Sequence, residues 1–190
     1  MSDVPRYYWD ACAWIGLIQQ ESGRFDSLSF VIEEAKAGRV EIWTSNFTLA
    51  EVFKRPCDGE NKGLATAEDV SFEDYVLQDF VTRAQVDLDV GTFARRLLRA
   101  YPEIKKPQDA IHLATALLNN IDELHTYDRN DLLDLSEKIE RKDGTKLKIC
   151  HPPKPPPPAK VEKTPLEEAI DAAKADDDEG KASGTGSGRP

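Results

Sequence analysis

The fold turns on the stretch Lys105-Lys106-Pro107-Gln108-Asp109-Ala110-Ile111-His112-Leu113-Ala114-Thr115-Ala116-Leu117. Pro107 suits the first position of a helix, where its missing N–H is a donor that a helix start cannot pair anyway. Asp109 then falls in the first turn, near the positive end of the helix dipole. Ala110, Ala114, Leu117, Leu118 and Ile121 recur at helical spacing, so the segment should be a helix packed hard along one face. An acid in a first turn ordinarily steadies its helix and does nothing more. Asp109 gains a second meaning, as a metal ligand, only if acids from elsewhere in the chain converge on it.

Outward from this helix, strand-like and helix-like segments alternate. Arg6-Tyr7-Tyr8-Trp9 is aromatic and reads as a strand. Asp10 follows it and precedes an apolar helical run, Ala11 to Ile18. Phe25 to Gly38 reads as a helix, with Leu28, Val31, Ile32 and Ala35 on its inner face. Val40 to Thr44 alternates like a strand. Ser45 should cap a helix from Asn46 to Arg55. Glu51 lies in that helix, and its plain reading is a surface acid paired with Lys54 or Arg55.

Cys57 to Ala67 has the composition of a loop. Ala67 to Arg83 reads as a helix with Val70, Phe72, Val76, Leu77, Phe80 and Val81 turned inward. Val86-Asp87-Leu88-Asp89-Val90 alternates, which predicts a short strand with both acids toward solvent. Thr92 to Tyr101 follows as a helix whose Arg95, Arg96 and Arg99 share a face. With Lys105 and Lys106 they form the densest basic patch. Beyond the Asp109 helix, Leu124 to Tyr127 is strand-like and Asp128 stands at its carboxyl end. Lys146 to Cys150 can close the sheet. This alternation predicts an α/β fold of three α/β/α layers around a central parallel sheet of four to five strands.

Composition narrows the classes. The formal charge is −10, and residues 1–150 carry 19 Lys and Arg against 27 Asp and Glu. Such a domain cannot hold nucleic acid by bulk electrostatics and needs local cations or bound metal to handle phosphate. The three cysteines match no zinc-binding spacing. The opening residues lack a signal-peptide pattern, and no apolar run approaches the ~20 residues that span a bilayer, so no membrane association and a cytoplasmic location are expected. All Trp, Tyr and Phe fall before residue 151, which sets the expected domain at 1–151. A proline-rich linker is expected at 152–163 and a short amphipathic helix at 164–175, opened by the capping box Thr164-Pro165-Leu166-Glu167. Residues 176–190, acidic and then Gly/Ser-rich, are expected to be disordered.

In the expected topology Asp10 and Asp128 both follow the carboxyl ends of strands, where open α/β sheets keep their ligand crevice. Glu51 and Asp109 belong to helices that begin at the same edge. Four acids brought to one crevice repel one another, and a hard divalent cation such as Mg²⁺ or Mn²⁺ is the usual remedy.

Four segments together carry a resemblance. They are Tyr7-Tyr8-Trp9-Asp10-Ala11-Cys12-Ala13-Trp14-Ile15, Thr44-Ser45-Asn46-Phe47-Thr48-Leu49-Ala50-Glu51-Val52-Phe53, Pro107-Gln108-Asp109-Ala110-Ile111-His112-Leu113-Ala114-Thr115-Ala116-Leu117 and Leu124-His125-Thr126-Tyr127-Asp128-Arg129-Asn130-Asp131-Leu132. In this order they resemble the PIN domain family of nucleases, which includes the VapC-type toxins of toxin–antitoxin pairs. The resemblance implies a Mg²⁺- or Mn²⁺-dependent endoribonuclease acting on single-stranded RNA. Its acidic quartet maps to Asp10, Glu51, Asp109 and Asp128, with metal on Asp10, Asp109 and Asp128. Asn46 and Thr126 are expected as supporting donors, Asn130 and Asp131 as residues that could share the part of Asp128, and His112 as a structural or supporting residue. Arg95, Arg96, Arg99, Lys105 and Lys106 are the candidates for meeting RNA. An antitoxin or other inhibitory protein, and a second copy of the chain, are the implied partners. The alternative is a binding module that has kept the acids and does little chemistry. The proline-rich, acidic tail is not usual for a compact VapC-type toxin, and the expectation for it is a contact with an inhibitor or a cover over the acid site.

Overall fold

The structure is a computed structural model that describes residues 4–52 and 66–157. Five strands form one sheet, β1 (Arg6–Trp9), β2 (Glu41–Ser45), β3 (Val81–Ala84), β4 (Glu123–His125) and β5 (Lys148–Cys150). Their order is β3-β2-β1-β4-β5, and every pairing is parallel. The chain therefore builds outward from β1 to β3 on one side, then returns to lay β4 and β5 on the other. The direction reverses between β1 and β4, and a ligand crevice belongs at such a reversal.

Helices cover both faces. Alternation along β1 sends Tyr8 to one face and Trp9 to the other. Tyr8 joins a core with α5 (Leu88–Ala100), α6 (Pro107–Leu118) and the 3₁₀ turn at Leu133–Leu135. Trp9 joins a core with α1 (Ala11–Ile18), α2 (Phe25–Lys36) and α4 (Thr66–Val76), where Trp14, Leu28 and Phe72 are buried. The short α3 (Asn46–Glu51) follows β2 directly, and the Ser45 hydroxyl accepts from the Thr48 N–H at 3.2 Å to cap it.

Two expected elements differ. The predicted helix from Ala67 to Arg83 ends at Val76, and Val81–Ala84 is instead the edge strand β3, paired with β2. Val70 and Leu77, expected inward, are 52% and 65% exposed. The predicted strand Val86 to Val90 does not form. Asp87 caps α5, its carboxylate accepting from the Val90 N–H at 3.0 Å. The buried positions that follow, Val90, Ala94 and Leu97, have helical spacing, while Leu88 lies exposed. The end of the predicted third helix, the loop after it, the linker beyond Pro157, the predicted 164–175 helix and the 176–190 tail lie outside the described residues.

Candidate active site

Asp10 leaves the end of β1 and caps α1. One carboxylate oxygen accepts from the Ala13 N–H at 3.0 Å, and the other accepts from the Thr126 hydroxyl at 2.5 Å. The helix cap and the site acid are thus one residue with two oxygens in different uses. Thr126 itself accepts from the Asp128 N–H at 3.0 Å. Its hydroxyl ties the loop after β1 to the loop after β4 across the point where the sheet reverses.

Asp128 shapes its own loop. Its Oδ1 accepts from the Asn130 and Asp131 N–H groups at 3.0 and 3.2 Å, an Asx turn of the kind expected from Asp-Arg-Asn-Asp. Asp131 does not line the cleft, although its charge reaches Asp109. Its carboxylate is held by Lys106 at 2.5 Å and Lys105 at 3.2 Å, and the Lys106 bond pulls its pKa down. Asn130 is exposed, and its carbonyl accepts from Lys105. Asn46 is exposed in the first turn of α3.

Asp109 stands in the first turn of α6 behind Pro107, and it is buried. Among the described residues its Oδ2 has no hydrogen-bond partner. Burial pushes its carboxyl up to about 6, against the pull of Lys106 and His112 and with the push of Asp131 and Asp128. Asp10 is raised for the same first reason, burial, although His112, Thr126 and Ala13 oppose the shift. Asp10, Glu51, Asp109 and Asp128 line one cleft of about 240 Å³, with Lys106 and His112 beside them. All four acids read from the sequence meet there.

His112 is buried between two partners. Its Nε2 lies 2.7 Å from the Glu51 carboxylate and its Nδ1 lies 2.8 Å from the Tyr8 hydroxyl. A hydroxyl oxygen can accept, so both ring nitrogens can carry hydrogen at once. Burial disfavours the charge on His112, but the Tyr8 oxygen, Glu51 and Asp10 outweigh it and hold the ring protonated up to about 10. Glu51 is therefore held by a residue 61 positions away in the chain. The sequence marks Tyr8 only as a strand residue, because nothing in a local spacing signals a partner so distant. Arg95, Arg96 and Arg99 lie on the exposed face of α5 and do not line the cleft.

A second gathering lies between β4 and β5. One ligand-type atom each from Glu123, His125 and Cys150 lies within 4.8 Å of the others. Here every group is already committed. Trp9 donates its indole N–H to His125 Nδ1 at 3.3 Å, so Nδ1 must keep its lone pair. Nε2 then carries the hydrogen and donates to Glu123 at 3.1 Å. Lys148 and the Cys150 thiol also donate to Glu123, at 2.7 and 3.4 Å. Both nitrogens of His125 are spent, and burial with the Glu123 charge pushes the Cys150 thiol up to about 12. This set is poorly disposed to take a metal.

Residues 7–138 match the PIN domain family. The chain belongs to the PIN domain family. No curated protein sequence matches it. This PIN domain is similar in structure to VapC20 of Mycobacterium tuberculosis, a Sarcin-Ricin loop cleaving toxin, with a TM-score of 0.51 and 20% identity, covering 65% of this chain and 91% of that one. It is similar as well to VapBC2 of Rickettsia felis, solved on a DNA fragment from its promoter, with a TM-score of 0.49 and 18% identity over 65% and 87% of the two chains. A toxin–antitoxin complex from Klebsiella pneumoniae gives a TM-score of 0.48 and 22% identity over 66% and 89%. At 20% identity the likeness to VapC20 speaks for the fold alone. Among the described residues of this PIN domain, no helix is long and apolar enough to cross a membrane.

Proposed function

We propose that this PIN domain is a divalent-metal-dependent endoribonuclease that hydrolyses single-stranded RNA, of the VapC toxin type, using Mg²⁺ or Mn²⁺. The observation that carries the reading is the unpartnered, buried Oδ2 of Asp109 in a cleft shared with three other acids. A buried carboxylate oxygen without a donor costs roughly 1–3 kcal/mol, more when charged, and so marks a site where something else belongs. The donor set fits a hard cation. Asp10, Asp109 and Asp128 offer oxygens only, and burial has raised Asp10 and Asp109 in a way that a bound cation would reverse.

Asp10, Asp109 and Asp128 would hold the ion. When bound, such an ion neutralises phosphate charge and lowers the pKa of water. The chain's own groups do the rest. Thr126 fixes the Asp10 carboxylate and, through the Asp128 N–H, the loop that bears Asp128. The protonated His112 holds the Glu51 carboxyl in the cleft, where it can orient a water. Lys106 lines the cleft and offers a cation to the phosphodiester. Water attack on phosphorus with departure of the 3′ oxygen leaves a 5′-phosphate and a 3′-hydroxyl. An antitoxin that covers the cleft is the partner this reading implies, and a cytoplasmic location follows from an RNA substrate and a protein inhibitor of that kind.

The deciding experiment is cleavage of defined single-stranded RNAs with Mg²⁺ or Mn²⁺, run beside Asp109→Asn. Loss of a direct ligand should lower the rate by more than the roughly 10–100-fold typical of a residue that only supports a ligand. Equal rates for parent and variant would remove the assignment. Tight RNA binding without metal-dependent turnover would favour the binding-module reading instead.

A further inference from the structure

Beside the acid cleft lies a wider depression of about 840 Å³ that shares Cys12 and Asp128 with it. Its other walls include Arg24, Tyr127, Arg129, Asn130 and His151. It differs from the cleft in chemistry, being cationic and aromatic where the cleft is acidic. The Tyr127 and His151 rings stack with centroids 5.0 Å apart and planes 22° from parallel. The Arg24 guanidinium carbon lies 4.6 Å from the centre of the Tyr127 ring. His151 Nδ1 donates to the Thr126 carbonyl at 3.0 Å, which fixes the ring beside the residue that positions Asp10.

Two features of this wall point to a ligand. His151 is exposed although its ring is held in place on one side by Tyr127 and at Nδ1 by a backbone carbonyl. An oriented ring with solvent access is a stacking platform prepared before binding, and its entropy is already lost. Arg129 is exposed next to Asp128, and no ion pair to it occurs among the described residues, whereas Arg24 is matched by Glu21. The protein thus places an unmatched cation and a planar ring at the border of the acid site. Single-stranded nucleic acid is recognised by this combination of stacking faces and cations on the backbone.

Resting on the nuclease reading, we propose that this depression is the subsite for the RNA nucleotide next to the scissile phosphate. The base stacks on the open part of His151, and the phosphate beyond it meets Arg129. Stacking requires a base free of its helix, so the subsite selects single-stranded over duplex RNA. It also supplies the local cation that an acidic domain needs, and it supplies it from Arg129 rather than from the arginines of α5.

The test uses the full chain, a fluorescein-labelled single-stranded RNA hexamer and polarisation with Ca²⁺ in place of Mn²⁺, with Mn²⁺-dependent cleavage measured in parallel. His151→Ala should weaken Kd by about tenfold, within the range of one lost base stack. His151→Phe also loses the Thr126 hydrogen bond but keeps a stacking face, and it should recover most of that affinity. Arg129→Gln should weaken binding and reduce the slope of log K against log salt by about 0.7, the value for one phosphate contact on a single strand. With an abasic hexamer the His151 variants should match the parent. If the parent cleaves RNA while His151→Ala and Arg129→Gln bind as it does, or if Phe at 151 is no better than Ala, the subsite is wrong and the nuclease reading stands. If the parent neither binds nor cleaves RNA, both fall together.

Discussion

Among the described residues two buried histidines each pair with a half-buried glutamate, on opposite faces of one sheet, and they are in opposite states. His112 pairs with Glu51 beside the acid cleft, and its pKa is raised. His125 pairs with Glu123 between β4 and β5, and its pKa is lowered, first by burial. The difference comes from the third partner. The Tyr8 hydroxyl can accept from a second ring N–H, so His112 can be a cation. The Trp9 indole can only donate, so His125 must stay neutral. The surroundings then diverge. Around Glu123 each group has a partner, and its carboxyl, held first by His125 and also by Lys148 and Cys150, falls to about 2. Around Asp109 an oxygen is left without one among the described residues, and the carboxyl rises to about 6. A satisfied polar cluster holds the fold together, whereas an unsatisfied one keeps its charge available for a ligand.

The largest effect expected from this contrast is metal-induced stabilisation. Mn²⁺ at 100 times its Kd should raise the unfolding free energy of the parent by about 2.7 kcal/mol. Asp109→Asn should lose most of that gain, and Glu123→Gln should keep it. Urea titrations with and without Mn²⁺ measure all three. A gain that depended on Glu123 and not on Asp109 would invert the assignment of the two clusters.

Without metal the two substitutions should have opposite signs at pH 7. Glu123→Gln should destabilise by about 1–2 kcal/mol, because it removes the charge that Lys148 and His125 stabilise. Asp109→Asn should stabilise by about 1 kcal/mol, because it removes a carboxylate that burial disfavours. The pH windows differ accordingly. Glu123 has a folded pKa below its unfolded value of 4.5, so its contribution is present above that value and is lost as pH falls toward about 2. Asp109 has a folded pKa above its unfolded value of 3.8, so ionising it costs stability as pH rises from there through about 6. The advantage of Asp109→Asn should therefore vanish below pH 4 and be complete above about 6. Parent and variant urea curves at several pH values decide this, and an advantage that stayed constant with pH would point to packing instead of charge.

The smallest effect concerns the hydroxyl. Tyr8→Phe should cost about 1 kcal/mol and lower the pKa of His112, since one of its two N–H groups then lacks an acceptor. Proton–nitrogen NMR of the imidazoles should show His112 doubly protonated at neutral pH in the parent and His125 as the Nε2–H tautomer. A neutral His112 in the parent would dissolve the contrast.

Much of this architecture was legible in the residues, for reasons that also mark the limits. β1, α1, α2 and α6 declared themselves because their apolar spacing, caps and Pro107 are local signals. The four acids could be placed at one edge because a parallel sheet turns strand ends into neighbours. The misreading came at Val81–Val90. There the alternation of Val86, Leu88 and Val90 imitates a strand, and only the Asp87 cap and the burial of Val90, Ala94 and Leu97 show a helix. β3 is four residues long and is stabilised by β2, far away in sequence, so no window around it could reveal it. The same distance hid the site's supports. Glu51 finds His112, Tyr8 finds His112, and Thr126 finds Asp10 over separations of 61, 104 and 116 residues. The stack of Tyr127 on His151 joins the loop after β4 to the chain after β5, and it too is a product of the fold.

Tyr8 and Trp9 are consecutive, and each governs the proton count of a different buried histidine. A slip of β1 by one residue would turn every side chain to the other face. Slipped in one direction, the strand would put the Trp9 indole N–H where His112 needs an acceptor. The strand's register is thus checked twice, once by shape and once by charge, and a sheet slipped that way would leave His112 without the acceptor that lets it keep both protons. Protonation here proofreads the pairing of the central strand.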